Sequence, residues 1–486
     1  MSGEIRVLYI ILLGFVLRLT NIIKPEGLWN DEYVSWHVAS TPMFDGFWQE
    51  VFKQCHMPLY YLYLKPFAGF SDIILRLTSV LPSLLAILVM YFAGKEISKK
   101  VGYFAAIITS VLSFLIYYSQ EVRFYSILFL FSGMSLLYLI RYIKYNDKKN
   151  LVLFIISNLL VLFTHIIGII YVALTFFYLA CRGKKKSVFL YSIIGTAVLS
   201  LIFSVNVIKM IPSSQWWGHF SYTNILFLFS DFFSPILTNN VNAPTVFFYN
   251  KSIALWQTIP TLIALVAIIK GAKKGLSFVV FGLILVMSSL AMSGKLVFIT
   301  KYSIEILPIL ILFAARGFAS LKKTGFVLFV IFVLFHLSSY FTPFYVTKLR
   351  RVEGHKIVGD ILNYQNPQNI IFTYYEPDRF SRYTNFENKN LCYISKINRF
   401  LYASNPAQIL SEIPVGETVS VVFLDSVSFF DEKYLQENKD NPMLPEMFVT
   451  FSNVKNSIIK RMDADFREFK ILKGGAWTVI YAKRFK

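Results

Sequence analysis

The chain has few charged residues. Only 16% of its 486 residues are Asp, Glu, Lys or Arg and 56% are apolar, whereas a soluble globular domain has about 25% charged residues. This deficit excludes an ordinary soluble protein and indicates an integral membrane protein. Cysteine is also rare: Cys55, Cys181 and Cys392 show no CxxC or other metal-binding spacing and indicate no function.

Acidic residues are scarcest in the first part of the chain. Residues 1–343 contain 12 of the 28 Asp and Glu residues, and the much shorter remainder contains 16. This change predicts a membrane domain over 1–343 and a soluble extracytoplasmic α/β domain over 344–486.

A net charge of +20 would suggest nucleic-acid binding in a soluble protein, but basic loops that orient a membrane protein explain most of this charge. We therefore exclude nucleic acid as a partner.

Apolar runs of about 20 residues or slightly fewer, long enough to cross a bilayer, recur along the first domain. They predict a polytopic α-helical protein with about eleven transmembrane helices, near 6–23, 77–95, 103–119, 124–143, 150–164, 166–181, 187–206, 252–270, 275–293, 303–320 and 325–342. Clusters of Lys and Arg fall in alternate loops, which identifies those loops as cytoplasmic. We expect a multi-pass protein of the cytoplasmic membrane, with its N-terminus inside and its C-terminal domain outside.

Two long segments on the predicted outer side lack a clear span. Residues 24–76 are rich in Trp and Tyr, and we expect amphipathic helices on the outer leaflet. Residues 207–251 form either an interfacial anchor or a cover or groove for a substrate. Most acidic residues of the membrane domain also fall on the outer side. They suggest a polar cavity that opens outward, or simply longer outer loops.

Two acidic motifs on this side are candidates for chemistry. Asp31–Glu32 follows the first span, where adjacent carboxylates act as a general base, hold a cation or cap the next helix. Residues 118–125 contain Glu121 and Arg123, and a guanidinium suits a phosphate. A Glu–Arg pair that only ties two helices together is the structural alternative.

Further polar residues lie at the same boundary. His56 precedes Met57 and Pro58, and this proline is well placed for the first turn of a helix. The His56 side chain is either a ligand or a structural residue. Arg76 starts the second span, and Lys301–Tyr302 starts the tenth, with Glu305 one turn later. Snorkelling anchors would show the same pattern. Together these groups lie where the phosphate of a lipid-linked substrate would be.

The order of these motifs resembles family 39 of the glycosyltransferases, which have the GT-C fold and include protein O-mannosyltransferases and aminoarabinose transferases. The resemblance covers about residues 7–320 and rests on Trp29–Glu32, His56–Tyr61, Arg76–Leu77 with Pro82, Tyr118–Tyr125, Thr164–His165, and Lys301–Tyr302 with Pro308. It implies a polyprenyl-phosphate sugar donor and a lipid, glycan or protein acceptor on the extracytoplasmic face.

The resemblance also implies roles for individual residues. Asp31 matches an acid that acts as catalytic base or orients the acceptor, and Glu32 and Glu121 are the further catalytic candidates, to orient the sugar or hold a divalent metal. Whether a metal is used stays open. The expected ligands of the donor phosphate are Arg123, Lys301, Arg76 and Tyr302. The expected substrate-binding residues are His56, Tyr60, Gln120, Tyr125 and His165.

The chain departs from the family at His56-Met57-Pro58, where His-Pro-Pro or an acidic residue followed by Lys-Pro is common. In the aminoarabinose branch that lysine binds the donor phosphate, so Arg123 or Lys301 must replace it here, or the donor sits differently. Direct displacement of the phosphate would invert the anomeric centre of the sugar. The alternative class is a lipid or glycolipid transporter, which places ionisable residues near the midplane of the bilayer.

The C-terminal region shows short alternating apolar runs. They predict strands at 369–375, 418–424 and 477–482 and helices at 356–364 and 453–462. A region of this length is large enough to bury its own core.

Overall fold

The computed structural model describes residues 3–20, 22–24, 27–54, 57–182, 223–235, 251–293, 298–341, 355–372, 380–387, 389–393, 395–396, 401–402, 410–424, 458–460, 462–474 and 477–485. The chain divides into two compact units. The membrane unit comprises Met1–Ile23 with Val34–Arg350, and the second unit comprises Lys24–Tyr33 with Arg351–Lys486. The start of the first outer loop therefore belongs with the C-terminal region, which composition alone does not indicate.

Helices make up the membrane unit, and the second of them begins in residues that belong to the second unit. In chain order they are α1 (Gly3–Leu19), α2 (Asn30–Ser40), α3 (Phe47–Lys53), α4 (Leu59–Leu64), α5 (Asp72–Lys95), α6 (Lys99–Val111), α7 (Ser113–Ser119), α8 (Tyr125–Tyr145), α9 (Lys148–Thr164), α10 (Gly168–Cys181), α11 (Thr223–Phe233), α12 (Lys251–Gly271), α13 (Lys274–Met292), α14 (Leu307–Ser320) and α15 (Lys322–Ser339). A 3₁₀ helix, Thr300–Ile306, leads directly into α14.

Within the described ranges, five helical segments are long and apolar enough to cross a membrane. They are α5, α8, α13, Thr300–Ser320 and α15. Helices α6 and α7 together pass the same test, although the chain bends by 55° between them. This confirms a polytopic helical membrane protein. The number of eleven spans stays a prediction, and the span expected at 187–206 lies outside the described residues. Most of the outer segment 207–251 does too.

A buried arginine ties α1 to the bend between α6 and α7. Where a helix ends, its last carbonyl groups lose their intrahelical donors, and α6 ends at Val111 inside the unit. Arg18 donates from Nη1 to the carbonyl oxygen of Ser110 (2.9 Å) and from Nη2 to that of Thr109 (2.9 Å). Its Nε donates to Ser83 Oγ in α5 (2.8 Å). The guanidinium thus satisfies carbonyl groups that the bend leaves without intrahelical donors, at a fully buried site.

Helices α12 and α14 pack backbone against backbone through two glycines. A Cβ added to Gly317 would lie 1.8 Å from the carbonyl oxygen of Ala267, and one added to Gly271 would lie 1.8 Å from that of Phe313. Such distances are far below van der Waals contact, so only glycine permits this approach. Small residues of this kind drive helix association where no hydrophobic effect operates between helices.

We expect Gly317→Ala to destabilise the membrane unit by about 1–3 kcal/mol, because the new methyl group must push the two helices apart. Thermal unfolding in detergent measures the effect. Gly133→Ala is the matched control in another transmembrane helix, since its Cβ would meet Val89 Cγ1 at an ordinary 3.4 Å. Equal melting temperatures for the two variants would contradict this account of the α12–α14 contact.

Glu96, which follows α5, is held by three donors from α8. Arg141 Nε donates to Oε1 at 2.8 Å, and Lys144 Nζ and the Tyr145 hydroxyl donate to Oε2 at 3.2 and 3.0 Å. Burial of the Glu96 carboxylate raises its pKa, but these hydrogen bonds more than offset that effect and hold the pKa below its ordinary value. The ionised carboxylate therefore stabilises the folded protein.

This lowered pKa predicts how stability depends on pH. A carboxyl group with a depressed pKa in the folded state contributes stability above its unfolded pKa and loses it as pH falls through the folded pKa. We expect the melting temperature of the wild type to fall more steeply than that of Glu96→Gln as pH drops below 4.5, the ordinary value. Parallel curves for the two proteins would show that Glu96 contributes nothing.

The second unit contains a mixed five-stranded sheet. Its strands are β1 (Asn369–Phe372), β2 (Asn390–Tyr393), β5 (Thr418–Leu424), β6 (Phe466–Gly474) and β7 (Trp477–Arg484), and β3 (Ser395–Lys396) pairs with β4 (Leu401–Tyr402) separately. The sheet order is β2-β1-β5-β7-β6. Strand β1 is parallel to β2 and β5, and β7 is antiparallel to β5 and β6.

Both faces of this sheet are covered. Val419, Val421 and Phe423 of β5 point into one apolar cluster, and Val422 points into the other, as the alternation of side chains along a strand requires. Helix α16 (His355–Gln365) covers the second face with Val358. This confirms a C-terminal α/β domain.

Three of the elements predicted for this domain lie at nearly the same residues in the structure. The strand 418–424 is confirmed at both ends, the strand 477–482 extends to Arg484, and the helix 356–364 is one residue longer at each end. Residues 373–375 of the first predicted strand and most of the predicted helix 453–462 lie outside the described residues.

Candidate active site

The turn between α7 and α8 is buried although it is polar. Glu121 and Arg123 are only 2% and 4% exposed. The Arg123 amide donates to the carbonyl oxygen of Glu121 (2.8 Å), which closes a tight turn. Gln120 Nε2 donates to the carbonyl oxygens of Arg18 (2.8 Å) and Thr20 (2.5 Å). Gln120 therefore anchors this turn to the end of α1, and its expected role in substrate binding stays a prediction.

The Arg123 guanidinium lies among aromatic rings and a hydroxyl group. Its Nη1 donates to Ser35 Oγ at 3.3 Å. Its central carbon lies 5.1 Å from the centre of the Phe124 ring and 6.0 Å from that of Tyr125. These are cation–π distances, and such contacts strengthen when water is excluded. The surroundings thus keep a positive charge inside the membrane unit, where an anion would be strongly attracted.

Three distant segments of the chain meet at this arginine. The His165 ring stacks on Phe124 (4.7 Å, 25° between planes) and on Tyr302 (5.6 Å, 28°). Lys301 Nζ lies 5.7 Å from the Tyr125 ring and 5.5 Å from the Tyr302 ring. The structure therefore places two cations around one cluster of aromatic rings. Of the predicted residues it brings together Arg123, Tyr125, His165, Lys301 and Tyr302.

Tyr60 belongs to the same cluster. It is 1% exposed, and its ring lies 6.3 Å from that of Phe124 with an edge-to-face orientation. His56 lies outside the described residues. Arg76 is fully buried in α5, and its Nη1 donates to the carbonyl oxygen of Ile22 at 3.4 Å. Its expected contact with the donor phosphate stays a prediction.

Glu305 joins this cluster, and we did not expect it among the site residues. It is fully buried in the 3₁₀ helix, and its Oε1 lies 3.6 Å from His165 Nδ1. Within the described part of the chain, neither carboxylate oxygen has a hydrogen-bond donor. The sequence contained one sign of this, since Glu305 follows Lys301 by about one helical turn. A buried carboxylate without donors is costly in an apolar environment.

The paired carboxylates of the first loop lie in the second unit and differ in their surroundings. Glu32 is fully buried, and its Oε2 accepts a hydrogen bond from the Trp29 amide at 3.2 Å. Trp29 precedes the first residue of α2, so Glu32 caps the helix from its third position. Asp31 is only half-buried. Capping thus accounts for Glu32 and leaves Asp31 as the more accessible carboxylate.

The sequence alone does not decide whether the protein binds a metal ion. In the ranges that the structure describes, His, Cys, Asp and Glu side chains form no group of three or more suited to hold a metal ion.

No protein-family model and no curated protein matches the chain. Solved structures do match it. ArnT from Cupriavidus metallidurans in the apo state aligns with 99% of this chain and 98% of its own, with a TM-score of 0.56 and 8% identity. The undecaprenyl phosphate-bound form of ArnT aligns with 98% of this chain and 97% of its own, with a TM-score of 0.55 and 9% identity. This chain has the GT-C fold.

The fold class that the sequence resemblance implied is therefore confirmed, while membership of family 39 in particular stays a prediction. The alignment covers both the helical part and the C-terminal domain. An oligosaccharyltransferase from Archaeoglobus fulgidus, in complex with Zn and sulfate, has a TM-score of 0.46 and 12% identity over 86% of this chain and 67% of its own.

We expect Glu305→Met to raise the melting temperature. Both Glu305 carboxylate oxygens are buried without a hydrogen-bond donor in the described part of the chain, and replacing an unsatisfied buried polar group by an apolar one of similar size removes a desolvation cost of about 1–3 kcal/mol. Thermal unfolding in detergent measures the effect. Glu96→Met is the control, because Glu96 has three donors and its loss must destabilise. A lower melting temperature for Glu305→Met would show that the carboxylate is structural.

Proposed function

We propose that the protein is an integral membrane glycosyltransferase that moves a sugar from a polyprenyl-phosphate donor to an acceptor on the extracytoplasmic face. The acceptor is a lipid, a glycan or a protein. The observation that carries this proposal is the pair of cations, Arg123 and Lys301, over one aromatic cluster in a chain with the GT-C fold. That ArnT of the same fold has been solved with undecaprenyl phosphate supports it.

The donor supplies its own leaving group. When the bond between sugar C1 and the phosphate oxygen breaks, the electron pair leaves with the polyprenyl phosphate, whose negative charge increases. We propose that Arg123 and Lys301 stabilise this charge, with Arg76 and Tyr302 as further ligands. Cations held in place by aromatic rings need little reorganisation during the reaction, which is how an enzyme stabilises a transition state.

The acceptor must lose a proton as it attacks C1. We propose Asp31 as the general base that takes this proton, while the acceptor oxygen forms the new bond to C1 and inverts its configuration. Glu32 and Glu121 then orient the sugar or hold a divalent ion.

The flat faces of the aromatic cluster suit the donor. Sugar rings and prenyl chains both present C–H groups, which pack against aromatic faces, and specificity comes from a few polar groups among them. We propose that Tyr60, Tyr125 and His165 contact the donor in this way, with His56 and Gln120 as further substrate ligands. Because Arg123 and Lys301 lie at helix ends rather than in mid-helix, the transporter alternative is not favoured.

Transfer assays with variants test this proposal. Purified protein is incubated with radiolabelled polyprenyl-phosphate sugars and a membrane extract. We expect Asp31→Asn to reduce kcat by about 10²–10⁴-fold, the usual contribution of a general base. We expect Arg123→Ala to have a similar effect and Arg123→Lys a smaller one, since lysine keeps the charge without the planar fork.

Lys148→Ala, on the predicted cytoplasmic side, is the control and should transfer normally. Unchanged transfer in both Asp31→Asn and Arg123→Ala would refute the assigned site. No transfer by the wild type from any such donor would refute the function.

A further inference from the structure

The backbone of the first loop is bound by the C-terminal domain, within the second unit. Leu28 is fully buried. Its amide donates to the Tyr383 hydroxyl at 2.7 Å, and its carbonyl oxygen lies 3.0 Å from His355 Nδ1. Since a carbonyl only accepts, Nδ1 carries the proton of His355. Both backbone polar groups of one loop residue are thus satisfied by side chains more than 300 positions away in the chain.

The residues on either side of Leu28 strengthen this contact. Gly27 has φ +83°, a conformation that L side chains rarely adopt, and a Cβ there would lie 2.6 Å from Lys356 Cβ. Beyond the paired carboxylates, the Tyr33 hydroxyl lies 3.3 Å from Ser381 Oγ. The contacts therefore lie on both sides of positions 30–32, which include Asp31.

The two side chains that bind Leu28 are fixed by the domain core. The His355 ring is fully buried and packs edge-to-face on Phe380 at 5.2 Å. Phe380 in turn stacks on Phe372 of β1 at 4.9 Å. Tyr383 is held by Asn363 of α16, whose Nδ2 donates to the Tyr383 carbonyl oxygen at 2.9 Å. The position of the loop backbone thus follows from the packing of the sheet and α16.

From these contacts we infer a role for the C-terminal domain: it positions Asp31, and His355 and Tyr383 are the positioning residues. The inference rests on the proposed function, in which Asp31 is the general base. A general base works only within hydrogen-bond reach of the proton it removes, and a misplacement of about 1 Å costs about 100-fold in rate. The hydrogen bonds at Leu28 and the contact of Tyr33 with Ser381 lie on both sides of Asp31, so they fix the backbone that carries it.

Three variants of the full chain in detergent test the inference. Tyr383→Phe removes the acceptor for the Leu28 amide and keeps the ring. His355→Leu removes the donor to the Leu28 carbonyl, whereas His355→Asn keeps an N–H donor close to the position of Nδ1. Tyr364→Phe is the matched control, because Tyr364 is 85% exposed in the same domain.

Hydrogen–deuterium exchange of residues 27–33 is the first measurement, and it does not depend on activity. We expect Tyr383→Phe and His355→Leu to speed exchange about tenfold, as the loss of one buried hydrogen bond predicts. The wild-type rate should persist in His355→Asn and Tyr364→Phe. Unchanged exchange in Tyr383→Phe and His355→Leu would overturn the inference.

Steady-state kinetics is the second measurement. A positioning role predicts a lower kcat by about 100-fold in His355→Leu, an unchanged KM for the donor, and recovery in His355→Asn. Equal loss of kcat in His355→Leu and His355→Asn, or a rise in donor KM alone, would overturn it. If exchange changes as expected but Asp31→Asn is fully active, the proposed base is wrong while the attachment of the loop stands.

Discussion

A charged group inside a membrane protein is costly unless it finds a partner, and this constraint shapes the membrane unit. In hydrocarbon, an unpaired charge or backbone polar group costs several kcal/mol. Arg18 meets the requirement with carbonyl groups at the bend between α6 and α7. Arg123 meets it with a hydroxyl group and aromatic rings. The contacts of Arg18 support the fold, and those of Arg123 place a cation beside a hydroxyl group and aromatic rings.

Aromatic rings surround the positive charges of this site. The rings of Tyr125 and Tyr302 lie within cation–π distance of Lys301, and the imidazole of His165 stacks on Phe124 and on Tyr302. A ring face attracts a cation more weakly than a carboxylate does, and it does not repel a phosphate as a carboxylate would. The arrangement therefore suits a group that must bind a phosphate and later release it.

The sequence predicted the helical membrane part and the C-terminal α/β domain because hydrophobic runs and strand alternation are local signals. The sequence predicted that Arg123 and Lys301 both bind the donor phosphate, because both lie where a predicted span begins on the outer side. It placed Glu305 near Lys301 but did not predict its contact with His165, which depends on how the 3₁₀ helix packs. Nor did it indicate that Gly27 and Leu28 contact Lys356, His355 and Tyr383, because no periodicity in the chain relates positions so far apart.

The grouping of residues 24–33 with the C-terminal region has a consequence for how such proteins diverge. The loop backbone and the side chains that bind it belong to one unit, although more than 300 residues separate them in the chain. A Cβ at position 27 would lie 2.6 Å from Lys356 Cβ, so this position accepts only glycine while that contact persists. A chimera that takes its C-terminal domain from another protein would therefore keep these contacts only when the opening of the first loop is exchanged as well.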